Sequence, residues 1–278
     1  MTLANLNEVL TEVVAARRAV GAFNVIQIEH AEALVAAAEQ TGLPVVLQIS
    51  ENAAKYHGAL APIALATKAA AQASSAQCVL HLDHAVSESL VDEALQLGFT
   101  SIMFDGSQLD DETNRSVTKQ VAQRCHAAGV GIEAELGEVG GKDGVHAPGV
   151  RTDPDDAARF VADTGVDALA VAVGSSHAMT DRTAALDIQL IGRIRAAVPV
   201  PLVLHGSSGV PDDGIVAAVK AGMVKVNIAT HLNNVFTQTL REYLEANPKV
   251  VDTRKYLGAS RSAVQEETAR LLELLALR

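Results

Sequence analysis

The sequence predicts an α/β protein built as a (β/α)8 TIM barrel with extra helices at its two ends. Eight short apolar runs alternate with longer segments of helical periodicity along the 278 residues. These runs are almost continuously apolar, as is typical of parallel strands covered on both faces. No linker or break in composition marks a second domain, so we expect residues 1–278 to form a single barrel domain. A doubly wound open sheet is the competing fold.

The predicted elements alternate along the chain. The strands are expected at Ala22–Val25, Val45–Ile49, Cys78–Leu82, Ser101–Phe104, Gly131–Ala134, Ala168–Val173, Leu202–Leu204 and Lys225–Ile228. Between them lie segments of helical spacing, for example His30–Gln40, Ser87–Leu97, Asn114–Ala128, Pro154–Thr164, Ile188–Ala197 and Asp212–Ala221. An amphipathic helix over the first twenty residues and a last helix at Tyr256–Leu277 extend the barrel at its ends.

Residues that favour helix ends support these boundaries. Asp153 precedes a proline and is expected to cap the helix that begins at Pro154. Ser87 is expected to cap the helix after the third strand. Glycines follow five helical segments at the position where a left-handed residue is usual: Gly42, Gly98, Gly129, Gly165 and Gly222.

The composition excludes several classes of protein. The chain has 22 Lys and Arg against 33 Asp and Glu, a net charge of −11, which argues against nucleic-acid and anionic-membrane binding. Cys78 and Cys125 are far apart and lack CxxC spacing, which excludes a disulfide scaffold and a thiolate zinc site. No run approaches the roughly 18 apolar residues of a membrane span, and no secretory leader is evident. We therefore expect a cytoplasmic protein.

Three histidines follow the predicted strands at equivalent places. His84, His177 and His205 lie at or just beyond the carboxyl ends of strands three, six and seven. Barrel enzymes build their active sites at this end. Three neutral imidazoles with an open fourth position form a catalytic zinc site in principle. For a single ring a structural hydrogen-bonding role is the more common one, but the shared position of all three favours the metal site.

Carboxylates follow the same strands. Asp83, beside His84, is a candidate acid or base, or a cap for the next helix. Asp105 ends strand four, and Glu133 and Glu135 share one face of strand five. A glutamate inside a barrel is costly unless it is paired or binds a cation. No Lys or Arg is evident on a neighbouring strand, which favours a cation.

Two turns have the character of phosphate-binding segments. His205–Val210 is rich in Gly and Ser and leads into a helix, and Asn227–Thr230 connects the last strand to another helix. Backbone N–H groups at such helix starts bind anions without net positive charge. Barrels frequently place phosphate after strands seven and eight, so the two turns together predict a phosphate site.

These motifs together resemble one enzyme family. HLDHA (81–85), FDGS (104–107), EAELGEVGG (133–141), GSSHA (174–178), HGSSG (205–209) and NIAT (227–230) occur in this order. The chain resembles the class II, zinc-dependent ketose-bisphosphate aldolases, the group that contains fructose- and tagatose-bisphosphate aldolases. The resemblance extends from about Phe23 to Leu257, nearly the whole chain.

The resemblance implies a role for each matching residue. His84, His177 and His205 would bind Zn²⁺, and Asp83 would act as acid and base on the C4 hydroxyl. Asp105 and Glu135 match positions that border the metal and can hold a second cation, divalent or monovalent. The dihydroxyacetone phosphate half would contact Gly206, Ser207, Ser208, Asn227, Ile228, Ala229 and Thr230. Other substrate contacts would come from Asn24, Ser50, Ala178 and, at the far phosphate, Arg254.

Three positions depart from the family pattern. The long loop Gly137–Val150 usually carries GG-x-Glu, so Asp143 would act as the second acid with one methylene less reach. Ala178 replaces the usual glycine after the second histidine. Ala229 replaces an aspartate common in fructose-bisphosphate enzymes, so the aldehyde half of the substrate could differ.

The resemblance implies a zinc-dependent aldolase that cleaves a phosphorylated ketose to dihydroxyacetone phosphate and an aldehyde. Zinc would act as the Lewis acid for this carbon–carbon cleavage. The specific ketose stays open, and so do an aldolase of a related keto-sugar, such as a deoxy-keto-gluconate phosphate, a zinc-dependent barrel hydrolase, and a non-catalytic sugar-phosphate-binding barrel. Relatives are dimers or tetramers, so we expect a homodimer or homotetramer.

Overall fold

The computed structural model of the chain describes residues 3–136, 151–177 and 179–278. The loop Gly137–Val150, with Asp143, and the residue Ala178 lie outside the described residues. The described part forms a closed barrel of eight parallel strands in sequential order, β1 to β8. The prediction of a (β/α)8 barrel is confirmed, and the open sheet is wrong.

Strands and helices alternate as predicted. The strands are β1 Val20–Asn24, β2 Val45–Ser50, β3 Cys78–Ala85, β4 Ser101–Phe104, β5 Gly131–Glu135, β6 Ala168–Ala170, β7 Leu202–Leu204 and β8 Met223–Ile228. The helices are α1 Leu6–Ala15, α2 Ile28–Thr41, α3 Glu51–His57, α4 Ala61–Ala73, α5 Glu88–Leu97, α6 Asp111–Ala127, α7 Pro154–Thr164, α8 Ile188–Ala197, α9 Asp212–Ala221, α10 Thr230–Ala246 and α11 Thr253–Leu275.

The sixth strand is shorter than predicted. It ends at Ala170 instead of Val173. Beyond this point the backbone of Ala172 bonds to Thr152, its N–H to the threonine hydroxyl at 2.8 Å and its C=O to the threonine N–H at 3.0 Å. The chain leaves the sheet because a segment outside the barrel satisfies its backbone groups, which apolarity alone does not indicate.

Apolar residues close the amino-terminal end of the barrel. Four side chains of α1, Leu6, Val9, Leu10 and Val13, are at most 1% exposed. They join small and branched residues near the starts of the strands in what we call the basal cluster. Its strand members are Val20, Ala22, Val46, Val79, Ala168, Ala170, Val203 and Val224. The predicted amino-terminal helix is therefore a plug for the barrel.

The helix caps agree with the sequence at one place and not at another. Asp153 accepts hydrogen bonds from the N–H groups of Asp155 and Asp156 at 3.0 Å, as predicted. Ser87 occupies the cap position of α5, but its side chain makes no capping hydrogen bond. The carboxylate of Glu51 instead accepts the N–H of Val86 at 2.8 Å. The capping role predicted for Ser87 is therefore wrong.

The additional helices at the end of the chain cover one side of the barrel. Helix α11 packs against α2 and α10, and the C=O of Leu275 accepts the N–H of Ala19 just before β1. Among the described residues, none of the helices combines the length and the apolar character that a membrane crossing needs.

Candidate active site

The three histidines predicted at strand ends meet at the carboxyl-terminal mouth of the barrel. The ring centroids of His84 and His205 are 4.7 Å apart, those of His84 and His177 are 5.2 Å apart, and those of His177 and His205 are 5.8 Å apart. One ligand atom from each ring and one from Glu135 all lie within 4.8 Å of one another. Three imidazoles and a carboxylate at this spacing are a donor set suited to a divalent ion such as Zn²⁺.

The backbone of His84 explains how its ring reaches this group. The pairing of β3 with β4 shifts register between Leu82 and Ala85, and His84 has a φ of +48°. This left-handed conformation costs a non-glycine residue about 1–2 kcal/mol. An irregularity of this kind re-aims a side chain, and such strain is typical of functional sites.

Asp105 holds the other side of the His84 ring. Its Oδ2 lies 2.7 Å from Nδ1 of His84. Because an ionised carboxylate only accepts, Nδ1 of His84 carries the hydrogen and Nε2 is left for the site. The second oxygen of Asp105 accepts the hydroxyl of Ser107 at 2.6 Å. Asp105 thus stands behind His84, outside the group of four donors.

A buried ion pair lies beneath His205. Glu133 Oε1 is 2.9 Å from Nε2 of His205, and Glu133 Oε2 is 2.9 Å from Nζ of Lys225; all three residues are fully buried. Burial raises the pKa of Glu133, but Lys225 and His205 outweigh burial and lower it, so the carboxylate is ionised. The sequence suggested no cationic partner for this glutamate. The partner exists, but it comes from β8 across the barrel interior.

The carboxylates around His205 favour positive charge at its ring. Burial lowers the pKa of His205, but the neighbouring Glu133 and Glu135 outweigh burial and raise it to about 9. Nδ1 of His205 lies 3.4 Å from Oε2 of Glu135. A site that stabilises a proton between two carboxylates also suits a cation there, which is consistent with the donor set.

Asp83 is held with one oxygen available. Its Oδ2 accepts the amide of Asn24 at 3.1 Å, and the Asn24 carbonyl accepts the amide of Gln48 at 3.0 Å. Its Oδ1 is buried and has no hydrogen-bond partner among the described residues. Burial raises the pKa of Asp83, but the imidazoles of His84 and His205 outweigh burial and lower it. The result is an ionised carboxylate with one unused acceptor.

A cavity of about 490 Å³ opens above this group. Its lining contains eleven residues predicted from the sequence as site residues: Asn24, Ser50, Asp83, His84, Asp105, His177, Gly206, Ser208, Asn227, Ala229 and Thr230. Glu135 and His205 are fully buried beside them. The sequence therefore identified most of the described lining.

Three predicted substrate contacts do not line this cavity. The hydroxyl of Ser207 donates to the C=O of Leu204, and Ile228 is 1% exposed in the barrel wall. Arg254 is exposed and binds Asp252 at 2.9 Å. Within one chain, the structure does not bring the Arg254 guanidinium to the cavity.

The two glycine- and serine-rich turns are joined to each other. Gly206 has a φ of +65°, and a Cβ there would lie 2.6 Å from the backbone of Ser176, so only glycine fits. The hydroxyl of Ser208 accepts the N–H groups of Ala229 and His231, each at 3.2 Å. The turn after β7 and the start of α10 thus form one polar wall.

The cavity lining also contains a cation that the sequence motifs did not single out. Lys55 of α3 lines the cavity and is the one Lys or Arg in the described part of its lining. Its ammonium is 2.9 Å from Glu51, which is itself anchored by the N–H of Val86. The i, i+4 spacing of Glu51 and Lys55 directly after β2 was the signal that could have identified the pair.

This fold and this site define a class: barrel enzymes in which imidazole and carboxylate donors meet at the carboxyl ends of the strands. A family model described as "Fructose-bisphosphate aldolase class-II" matches residues 4–277. The chain is 38% identical over 269 residues to a fructose-bisphosphate aldolase of Geobacillus stearothermophilus, covering 95% of this chain and 94% of that protein. It is 39% identical over 295 residues to a fructose-bisphosphate aldolase of Thermus caldophilus, covering 96% of each.

Solved structures agree with these relatives. The crystal structure of the YdjI aldolase from Escherichia coli K12 matches with a TM-score of 0.86 at 31% identity, covering 99% of this chain and 97% of that chain. The chain belongs to the class-II fructose-bisphosphate aldolase family. It is a class II aldolase, a carbon–carbon lyase that acts on a phosphorylated sugar, which confirms the resemblance read from its motifs.

Proposed function

We propose that the chain cleaves fructose 1,6-bisphosphate or tagatose 1,6-bisphosphate reversibly to dihydroxyacetone phosphate and an aldehyde. The observation that carries this proposal is the unused Oδ1 of Asp83. The Asp83 side chain lines the same cavity as His84 and His177, with the glycine- and serine-rich turns in the same wall. A base, a metal-ligand group and an anion-binding wall are the three parts that aldol cleavage of a sugar phosphate requires.

We propose that His84, His177 and His205 hold Zn²⁺. The spacing of the three imidazole ligand atoms suits a tetrahedral ion whose fourth position is open to substrate, and Glu135 lies beside them. Bound there, zinc supplies a Lewis acid for the negative charge that develops on the substrate. Asp105 and Glu135 border this position and could hold a second cation.

Asp83 is the proposed base for the cleavage direction. Its carboxylate takes the proton of the C4 hydroxyl while the C3–C4 bond breaks and the aldehyde forms. Asn24 holds Oδ2, which leaves Oδ1 as the acceptor for this proton. The electron pair of the broken bond remains at C3 of the dihydroxyacetone phosphate half. Asp143, outside the described residues, is proposed to protonate that carbon.

The phosphate of the dihydroxyacetone half is proposed to bind the wall formed by the turns after β7 and β8. Gly206, Ser208 and Thr230 line the cavity there, and α10 begins at Thr230. Its amino-terminal N–H groups and helix dipole favour an anion. Asn227 adds a buried carbonyl oxygen without a hydrogen-bond partner among the described residues, suited to a substrate hydroxyl.

Lys55 is the proposed contact for an anionic group at the aldehyde end. It follows β2, whereas Thr230 follows β8, and both residues line the cavity. A bisphosphate bound there would present one phosphate to the turns after β7 and β8 and the other to Lys55. The resemblance implies Arg254 for this second role, but within the described part of one chain Lys55 is the cation that reaches the cavity.

A substrate panel tests the proposed function. Purified chain loaded with Zn²⁺ is given ketose phosphates, and dihydroxyacetone phosphate is measured by NADH-linked reduction. We expect cleavage of at least one bisphosphate, lost on chelation and restored by Zn²⁺. Tight binding of sugar phosphates without cleavage of any of them would indicate a non-catalytic binding protein. Ester or amide hydrolysis without aldol cleavage would indicate a hydrolase.

We further propose that the enzyme works in the cytoplasm and that it is a homodimer or homotetramer, the assembly that the resemblance implies. Light scattering on the purified chain measures the assembly directly. A monomeric mass over the whole concentration range would contradict the proposed assembly.

A further inference from the structure

The barrel interior contains a charged pair that the proposed chemistry does not use. Glu133 of β5 and Lys225 of β8 are both fully buried, and their charged atoms are 2.9 Å apart. Removing two charges from water costs more than their attraction usually returns, and apolar residues of the same size often do as well. Stability alone therefore does not explain this pair. Glu133 makes one further contact, which indicates a different role.

That contact is with His205. Oε1 of Glu133 lies 2.9 Å from Nε2 of the His205 ring. A carboxylate only accepts, so Nε2 carries the hydrogen of this bond. The nitrogen then left to bind an ion is Nδ1, which lies 3.4 Å from Oε2 of Glu135. Which nitrogen of a histidine can bind a metal is decided by the hydrogen bond that the other nitrogen makes.

We propose that Glu133, held by Lys225, is a positioning residue that fixes His205 with Nδ1 toward the other metal ligands. This inference rests on the proposed zinc centre. Lys225 contributes by keeping the second oxygen of Glu133 occupied, which holds the carboxylate plane and its charge in the barrel interior. Asp105 stands in the same relation to His84, but there the second oxygen is held by the neutral hydroxyl of Ser107.

The two arrangements differ in their surroundings. Asp105 lines the open cavity, and its second oxygen accepts both the hydroxyl and the N–H of Ser107. Glu133 has no exposed surface, and a buried carboxylate needs a cation. This explains why a lysine stands inside the barrel wall three strands away from the glutamate.

The test measures Zn²⁺ binding to the full chain by competition with a chromogenic chelator. We expect Glu133→Gln to weaken zinc affinity about 10- to 100-fold, the usual effect of removing the partner of a metal-bound histidine. In the zinc-loaded protein we expect a slowly exchanging proton resonance on Nε2 of His205, displaced in this variant. The matched control is Ser101→Ala, which removes a 2.7 Å hydrogen bond to His81 in the same interior without touching His205.

The double variant Glu133→Gln with Lys225→Met separates positioning from folding. It removes both charges, so thermal stability should recover relative to Glu133→Gln alone, while zinc affinity should stay low. Wild-type affinity in the double variant, or in Glu133→Gln, overturns the inference while leaving the zinc centre in place. A wild-type chain that binds no Zn²⁺ overturns the proposed centre and this inference together.

Discussion

The two ends of the barrel interior are both buried, but one is lined by apolar side chains and the other by polar and charged ones. The basal cluster consists of apolar side chains plugged by α1. The upper interior, by which we mean the inward-facing residues above it, is polar although each is fully buried: Gln48, His81, Ser101, Glu133, His205 and Lys225. In the lower half burial itself stabilises the fold, whereas in the upper half burial is a cost that specific partners offset.

This difference assigns stability mainly to the basal cluster and chemistry to the upper interior. Apolar contacts are non-directional, so the basal cluster can tolerate exchange among side chains of similar size. Hydrogen bonds and ion pairs need defined distances, so the upper interior holds its groups in one arrangement. Substitutions in the two halves should therefore have different consequences, and five substitutions test this in order of decreasing effect.

The largest effect is expected in the upper interior. His205→Ala should lose bound zinc and all measurable aldolase activity, since it deletes a proposed ligand and leaves Glu133 without its imidazole. Metal analysis and a cleavage assay measure both. His126→Ala, which removes a half-exposed ring bound to Asp167 on the outer surface, is the control and should keep both. If His205→Ala retained zinc, the buried polar residues of the upper interior would not be needed for the metal, and their proposed difference from the basal cluster would be contradicted.

Asp83→Asn should lose at least about 100-fold in kcat while keeping its metal, because the amide cannot take the C4 hydroxyl proton. The Asn24 hydrogen bond and the volume of the side chain are nearly conserved, so folding should change little. Steady-state kinetics with parallel metal analysis measures the split. Wild-type kcat in this variant would exclude Asp83 as the base.

Leu10→Ala should affect stability alone. The side chain is 1% exposed in the basal cluster, so the truncation should cost about 2–5 kcal/mol in the free energy of unfolding. Urea denaturation measures this, and kcat of the folded fraction should equal that of the wild type. Leu65→Ala, at a position 54% exposed, is the control. A large fall in kcat for Leu10→Ala would show that the two halves are coupled.

His81 gives the upper interior a pH dependence that the basal cluster lacks. Burial, reinforced by Lys225, lowers the pKa of His81 from 6.5 to about 3, so the folded state holds the ring neutral. Its contribution to stability is complete above pH 6.5 and is lost as the pH falls from 6.5 toward 3. His81→Gln should therefore lose less stability than wild type across this range, whereas Leu10→Ala should run parallel to wild type. If the stability of His81→Gln depended on pH in the same way as that of wild type, the lowered pKa of His81 would be contradicted.

Binding of the second anionic group should give a smaller, selective effect. Lys55→Met should raise KM for fructose 1,6-bisphosphate about tenfold or more, the scale of a hydrogen bond to a charged group. KM for fructose 1-phosphate should stay close to wild type, because that substrate lacks the second phosphate. Equal changes for both substrates would mean that Lys55 acts on the site as a whole.

The sequence predicted the barrel well because its signals are local. Ser101–Phe104 and Leu202–Leu204 are short apolar runs between turn residues, and β4 and β7 have these bounds. His84, His177 and His205 were found because each comes close to the carboxyl end of a predicted strand, and closure of the barrel brings strand ends together. His205 directly follows β7 and His84 lies at the end of β3, whereas β6 ends at Ala170, before His177.

What the sequence did not predict depends on contacts across the fold. Lys225 is 92 positions from Glu133 and three strands away around the barrel, so inspection of neighbouring strands could not pair them. The early end of β6 depends on Thr152, which belongs to another segment. The Ser87 hydroxyl bonds to the hydroxyl of Ser89 at 2.8 Å instead of capping α5, a choice between two local partners that residue type alone does not decide.

The most direct test of the account is the anomalous diffraction of a crystal grown with Zn²⁺ and measured at the zinc edge. We predict one strong peak within about 2.0–2.1 Å of Nδ1 of His205 and of one ring nitrogen each of His84 and His177. Strong zinc density elsewhere on the chain, with none between these three rings, would contradict the proposed centre and the chemistry assigned to Asp83 beside it.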